Sequence, residues 1–410
     1  MDMDEKKQKH GNILPVFFWI FLVATVAVLL ILTAVLLSRN GTLEAWKARY
    51  TEWKESKEAT KRAETAGEKT VHYFGPTDSE EYESWFSVEG NIAGTEGGRE
   101  EKTEPDPLRE ALTVSPVNGS EAWWSEAVKL SEGVTLYAQG KTPLYGSPDD
   151  KGKVVGYGSA EEMFSLLAVL KNGWYVVSDG QFYYCSRGEH YTLVRLQDVN
   201  PEEIFTGLEQ QKVFHEVDTV LQNPELPHGC EVTGLASLFS YYDIEADKCE
   251  LADNRLPKGI WGETDFRKAF IGDPRKKSGS AGCFAPVIAE TANLYLTEYD
   301  EGKGVGLTAV AKENVLFSEL LSMVEKAPVL AWTTMNLQAP YIAQVWEVEG
   351  EELYWQNLEH CVVLTGYDAE KEILYGTDPL YGPCEYDIEL FSVRFQTMYS
   401  QVVYLTEDTP

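Results

Sequence analysis

The chain has 410 residues, 43% of them apolar and 25% charged, with 11 Trp, 22 Tyr and a formal net charge of −31. That length accommodates two or three domains with at least one sizeable core. So acidic a surface repels phosphate backbones and excludes nucleic acid from the expected partners.

The first strong feature is Ile13–Leu37, "ILPVFFWIFLVATVAVLLILTAVLL", which carries no charge. At about 1.5 Å per residue a helix of this length exceeds the roughly 30 Å hydrocarbon core of a bilayer. A cleaved signal peptide has an apolar region of only about 7–15 residues and a small-residue cleavage site. A buried core helix is rarely apolar on every face. The segment therefore reads as an uncleaved transmembrane signal anchor, with the membrane as a partner. Lys6, Lys7 and Lys9 before it nearly balance Arg39, Lys47 and Arg49 after it. A short N-terminus ahead of one span and a large acidic body behind it predict residues 1–12 in the cytoplasm. The body is then extracytoplasmic, held at the cell membrane by a single pass.

Residues 38–130 read as stalk and linker. Leu43–Lys69 mixes charges with strong helix formers, and Asn91–Pro107, "NIAGTEGGREEKTEPDP", is Gly-rich and charged without apolar periodicity. Over 131–200 the pattern turns to short alternating runs broken by Gly-Ser-Pro-Asp-Asp, Lys-Asn-Gly and Ser-Asp-Gly, the signature of closely spaced strands. "LYA", "PLYGSPDDKGKVVG" and "GWYVV" resemble bacterial Src-homology-3-like domains. That resemblance implies a small all-β barrel that binds cell-wall peptide or packs beside a catalytic domain. Trp174 and Tyr175 read as its core.

Residues 212–406 form the third unit. Its front half reads as helices at Cys230–Tyr242, Ala285–Leu296 and Phe317–Glu325. Its back half reads as strands at Pro328–Met335, His360–Asp368, Glu372–Asp378 and Gln401–Thr406. Helices followed by an antiparallel sheet make an α+β domain.

In "LPHGCEVTGLASLFSYY", Val232, Leu235, Ala236, Phe239 and Tyr242 make one apolar stripe at helical spacing. Pro227 and Gly229 start the helix near Cys230, off that stripe. A cysteine in a first turn faces unpaired N–H groups and the positive end of the helix dipole, both of which favour thiolate. Taken alone, Cys230 is equally a core or disulfide thiol. The six cysteines, at 185, 230, 249, 283, 361 and 384, form no CxxC pair, so they do not match a zinc ribbon. Cys249 with Cys283 is the first pairing to consider, though sequence does not fix connectivity.

A thiolate nucleophile needs a base oriented by a third group. His360 opens an apolar strand, where a histidine without a partner would be costly. The run "HCVVLTGYDAEKEILYGTDPLYG" is a predicted hairpin that folds back near Asp368–Lys371 and brings Asp378 towards His360. The two share a face only if the loop is odd-numbered or a bulge intervenes. Gln222, eight residues before Cys230, could place a side-chain amide beside the Cys230 N–H as a two-donor oxyanion cradle.

These strings, "LQNPELPHGCEVTGLASLFSYY", "HCVVLTGYD" and "GTDPLYG", resemble papain-like cysteine peptidases of the bacteriocin-processing (double-glycine) type, in particular standalone cell-surface relatives without a transporter. The resemblance covers roughly Phe214–Leu405. It implies Cys230 as nucleophile, His360 as base, Asp378 as its orienting carboxylate and Gln222 as oxyanion donor. The expected reaction is thiol-dependent hydrolysis of a peptide or peptidoglycan-peptide amide, with no cofactor or metal. A catalytically silent wall-binding protein and an acyltransferase on the same scaffold remain open at this stage.

Overall fold

The computed structural model describes residues 123–124, 126–300 and 306–407. The expected anchor, and nearly all of the expected stalk and linker, lie outside these residues. Among the described residues no helix is long and apolar enough to cross a membrane.

The first described unit is an antiparallel sheet of seven strands: β1 (Val128–Ala138), β2 (Thr142–Tyr145), β3 (Val154–Gly158), β4 (Met163–Val169), β5 (Trp174–Ser178), β6 (Tyr183–Arg187) and β7 (Tyr191–Thr192). In β4, Phe164, Leu166 and Ala168 are buried while Met163 and Ser165 face out, the period-2 pattern of a half-buried strand. Trp174 and Tyr175 are buried. The strand order is β3-β2-β6-β5-β4-β1-β7. Among the described residues β3 and β7 do not pair with each other, so the expected barrel is observed as a sheet with two free ends.

The C-terminal unit is built on a second seven-stranded antiparallel sheet. Its path is β11 (Leu307–Lys312), β18 (Val402–Glu407), β12 (Val329–Thr334), β15 (Glu359–Asp368), β16 (Ile373–Asp378) and β17 (Gly382–Asp387), with β8 (Lys212–Phe214) also paired to β15. A small parallel pair, β9 (Lys258–Gly259) and β10 (Phe270–Ile271), lies outside this sheet. Helices cover both faces. Leu330, Trp332, Cys361 and Val363 pack with α1 (Cys230–Ser240) and α2 (Ala285–Asp300). The alternate residues Val329, Ala331, Val362 and Leu364 pack with α3 (Phe317–Val324) and α4 (Ile388–Thr397). A strand buried on both faces reads as a continuous apolar run, which is why "VLAW" and "CVVL" lack alternation.

Three features depart from the sequence reading. Helix α1 is buried from Cys230 to Phe239, polar residues included, so it is a central helix rather than one with a single apolar stripe. The helix-then-strand division is not clean, because β8 precedes the helices and α4 falls among the late strands. Finally, the hairpin β13 (Ile342–Val348) and β14 (Glu351–Gln356) belongs to both units. Its Trp346, Leu353 and Trp355 join the α1–α2 core, while Ile342, Val345 and Tyr354 pack into the core of the first sheet. The Ile342 backbone N–H donates to the Tyr175 hydroxyl across that junction. The first sheet therefore braces the hairpin, whose second strand leads straight into β15.

Candidate active site

Cys230 is the first residue of α1, following an N-cap at Gly229 with non-helical dihedrals. His360 is the second residue of β15, and Asp378 the last of β16. His360 Nε2 lies 2.9 Å from Asp378 Oδ1, and both side chains are buried. Asp378 also accepts the Leu380 N–H at 2.8 Å through Oδ1 and the Tyr386 hydroxyl at 3.2 Å through Oδ2. A carboxylate so bonded is fixed in position and fixes the imidazole in turn.

The register explains the meeting. Beside the turn the pairs are Asp368↔Ile373 and Tyr367↔Leu374, but beyond a bulge between Leu364 and Gly366 they become Leu364↔Gly376 and Val363↔Thr377. The connecting loop, residues 369–372, has an even number of residues. Without the bulge, Asp378 and His360 would project to opposite faces; with it, Asp378 falls opposite Val362, on His360's face. Gly366 sits at this irregularity, where β8 closes on β15. A Cβ there would lie 2.0 Å from the Val213 carbonyl oxygen.

The other imidazole nitrogen, His360 Nδ1, is buried and makes no hydrogen bond. Burial alone would lower the His360 pKa, but the charge and hydrogen bond of Asp378, with help from the neighbouring Cys230, raise it to about 10. The thiol itself turns elsewhere: Cys230 Sγ donates to Glu231 Oε2 at 3.3 Å. A hydrogen bond with Cys361, burial, and the charges of Glu231 and Glu359 push the Cys230 thiol well above its usual range. This reverses the expectation drawn from the helix N-terminus: the Cys361 hydrogen bond, burial and the neighbouring acids all favour the neutral thiol.

Gln222 is buried in the loop leading to Cys230, where its Nε2 donates to the Pro227 carbonyl at 2.6 Å and its Oε1 has no partner. Its amide is thus committed to its own loop rather than aimed at the sulfur.

Glu231 and Glu359 were not singled out from sequence. Glu231 is fully buried on α1 and accepts the Cys283 N–H at 2.8 Å. Burial raises its pKa to about 7 against the opposing hydrogen bonds. Glu359 precedes His360 on β15, and burial together with the Glu231 charge holds its carboxyl well above the carboxylate range. Glu359 and Cys361, two apart on β15, both lie beside Cys230 at the start of α1. The available signal was the pair of dipeptides Cys230-Glu231 and Glu359-His360, each with an acid beside a reactive residue in an apolar element.

The remaining cysteines also differ from expectation. All six are free thiols, so the Cys249–Cys283 disulfide is not formed. Cys283 is buried beside Glu231, whereas Cys249 sits on the short helix Lys248–Glu250. Cys384 is a buried strand residue of β17.

Residues 214–403 match the Peptidase C39 like family. The C-terminal half of the chain is a C39-like peptidase domain. The chain is 28% identical over 202 residues to the uncharacterized protein YvpB of Bacillus subtilis (strain 168), covering 46% of this chain and 75% of that one. Among solved structures it is similar to a C39-like peptidase from Bacillus anthracis, at 28% identity and a TM-score of 0.43, covering 49% of this chain and 100% of that one. It is also similar to a double glycine motif protease from an AMS/PCAT transporter, at 14% identity and a TM-score of 0.27, over 48% of this chain and 95% of that one. The family match thus falls on the C-terminal α+β unit, which carries Cys230, His360 and Asp378.

Proposed function

We propose that this chain is a cysteine peptidase anchored in the cell membrane by residues 13–37, with its C39-like domain outside the cytoplasm. Its substrate is a peptide or the peptide portion of cell wall. The observation that carries the reading is the 2.9 Å contact between His360 Nε2 and Asp378 Oδ1, which leaves Nδ1 as the nitrogen available to the neighbouring sulfur.

In the proposed reaction the Cys230 proton passes to His360 Nδ1 and the sulfur attacks the amide carbonyl carbon. Asp378 holds the ring and balances the imidazolium charge. The developing oxyanion takes the Cys230 backbone N–H, one of the donors that a helix start leaves unpaired, and the Gln222 amide once it releases the Pro227 carbonyl. The imidazolium then protonates the leaving amine, and water hydrolyses the thioester. The segment resembling Src-homology-3-like domains braces the hairpin ahead of β15 and offers a surface for wall peptide.

Full-length protein in detergent, incubated with muropeptides and with a peptide library, tests this by mass spectrometry of the products. Cleavage by wild type and none by Cys230→Ala is the expected result. Equal cleavage by both, or none by either, sinks the peptidase reading. If carbonate extraction releases the full-length chain from membranes, the anchor is misread.

A further inference from the structure

We propose that Cys230, Glu231 and Glu359 form a reversible binding site for a thiophilic divalent cation of the zinc type, which occupies the sulfur and blocks its attack on carbonyl carbon. The sulfur and one carboxylate oxygen from each glutamate lie within 4.8 Å of one another, and all three residues are buried. An independent observation points to a ligand: Glu359 is only 6% exposed, yet its Oε1 has no hydrogen-bond partner. A buried carboxylate oxygen without a donor is costly, and a cation is the partner that removes the cost. Among the described residues no lysine or arginine pairs with either carboxyl, so whatever charge the two acids carry once ionised has no resident counter-charge except His360, and a cation would supply it.

The donor set selects the class of cation. A thiolate with carboxylates suits a borderline ion that accepts sulfur and oxygen in a tetrahedral shell. Calcium and magnesium take shells of six or more oxygens and gain little from sulfur. With Zn–S near 2.3 Å and Zn–O near 2.0–2.2 Å, the ion would draw the three donors about an ångström closer, a movement that two glutamate side chains can supply. His360 Nδ1, buried and unbonded beside the same sulfur, becomes a further nitrogen donor once its ring gives up a proton, and Asp378 already orients that ring, as carboxylates commonly do for metal-bound histidine. On binding, the Cys230 S–H proton and the protons that burial keeps on the Glu359 and Glu231 carboxyls leave to solvent as the metal–ligand bonds form, and nothing is oxidised or reduced.

The inhibitory consequence rests on the peptidase reading, but binding is read without turnover. A chain that holds the ion and cleaves nothing overturns that reading alone. Full-length protein is treated with zinc chloride, and alkylation of the Cys230 peptide by iodoacetamide is followed by mass spectrometry. Zinc should slow Cys230 alkylation about tenfold or more, with reversal by EDTA, and Cys283→Ala and Cys361→Ala should keep the effect. Glu359→Gln and Glu231→Gln should each weaken zinc protection by about 10–100-fold. No protection in wild type, or undiminished protection in both glutamine variants, overturns the site. Should a variant lose its thermal unfolding transition, zinc-edge X-ray absorption on wild type decides. One sulfur with oxygen or nitrogen neighbours supports the site, and an all-sulfur or sulfur-free shell overturns it.

Discussion

The two flanks of Cys230 treat the same proton in opposite ways. On one side a buried imidazole, held by Asp378, leaves a free nitrogen near the sulfur. On the other, Glu231 accepts the thiol hydrogen bond and Glu359 lies close by. The first flank favours charge separation between sulfur and ring; the second opposes a negative sulfur through like charge and desolvation. What distinguishes them is the count of counter-charges: Asp378 faces a cation-forming ring, whereas Glu231 and Glu359 face each other and a thiol. A helix start alone therefore does not make a thiolate.

Removing a reacting group breaks the comparison most severely. His360→Ala takes away the base and should lower kcat by about 10⁵–10⁶-fold, as loss of a triad base does elsewhere. Steady-state kinetics on the substrate found for wild type measures this, and a loss under tenfold would remove His360 from the proposed mechanism.

Asp378→Asn keeps the shape of the first flank and deletes its charge, with an expected fall in kcat of about 10⁴-fold. It should also bring the imidazole pKa down from about 10, since the Asp378 charge and hydrogen bond raise it. A histidine whose folded pKa exceeds the unfolded value of about 6.5 stabilises the fold fully below that pH. That contribution fades as pH climbs towards about 10. Wild type should therefore lose stability between pH 7 and 10, and Asp378→Asn should lose less. NMR titration of the imidazole and denaturant melts across pH test both; an unmoved imidazole contradicts the cause assigned to the shift.

Much of the first flank was legible in the chain. Cys230 had turn residues before it and helix formers after it, and His360 and Asp378 stood on two apolar runs joined by a turn. Whether those runs placed them on one face was not legible, because a single-residue bulge reverses the answer and leaves only Gly366 as its trace. Gly366 is there because β8 packs so closely that a Cβ would lie 2.0 Å from the Val213 oxygen, a contact more than 150 residues away in sequence. The second flank was hidden for a similar reason. Glu231 reads as a solvated first-turn acid until α2, β12 and β15 enclose α1 on every side. The hairpin β13–β14 escaped because its two faces serve two different cores, so neither strand shows a simple alternation.

Gly366→Ala tests that link between register and site. The added methyl must displace the β8 backbone or the bulge, costing about 1–3 kcal/mol as overpacking does. Activity should fall by more than stability explains, because slipping the register separates His360 from Asp378. Thermal melts set beside kcat at a temperature where the variant is folded provide the check; full activity in a folded variant would mean that the bulge does not hold the pair together.

Glu231→Gln is the mildest change, since it leaves Cys230, His360 and Asp378 untouched and keeps an oxygen for the Cys283 N–H. It removes one of the charges that hold the Cys230 thiol up. Wild-type alkylation should therefore be slow near pH 6 and rise with pH, and the variant's profile should move to lower pH. Glu359→Gln should shift it the same way. The cause is spatial: both charges act on the sulfur, and each also makes the other carboxyl harder to ionise, so deleting either relieves part of the repulsion. Cys384→Ala, which removes another buried thiol far along the chain, serves as the control that should leave the profile in place. If the Glu231→Gln and wild-type profiles coincide, the acidic flank does not govern the nucleophile, and the contrast between the two sides of Cys230 reduces to His360 and Asp378.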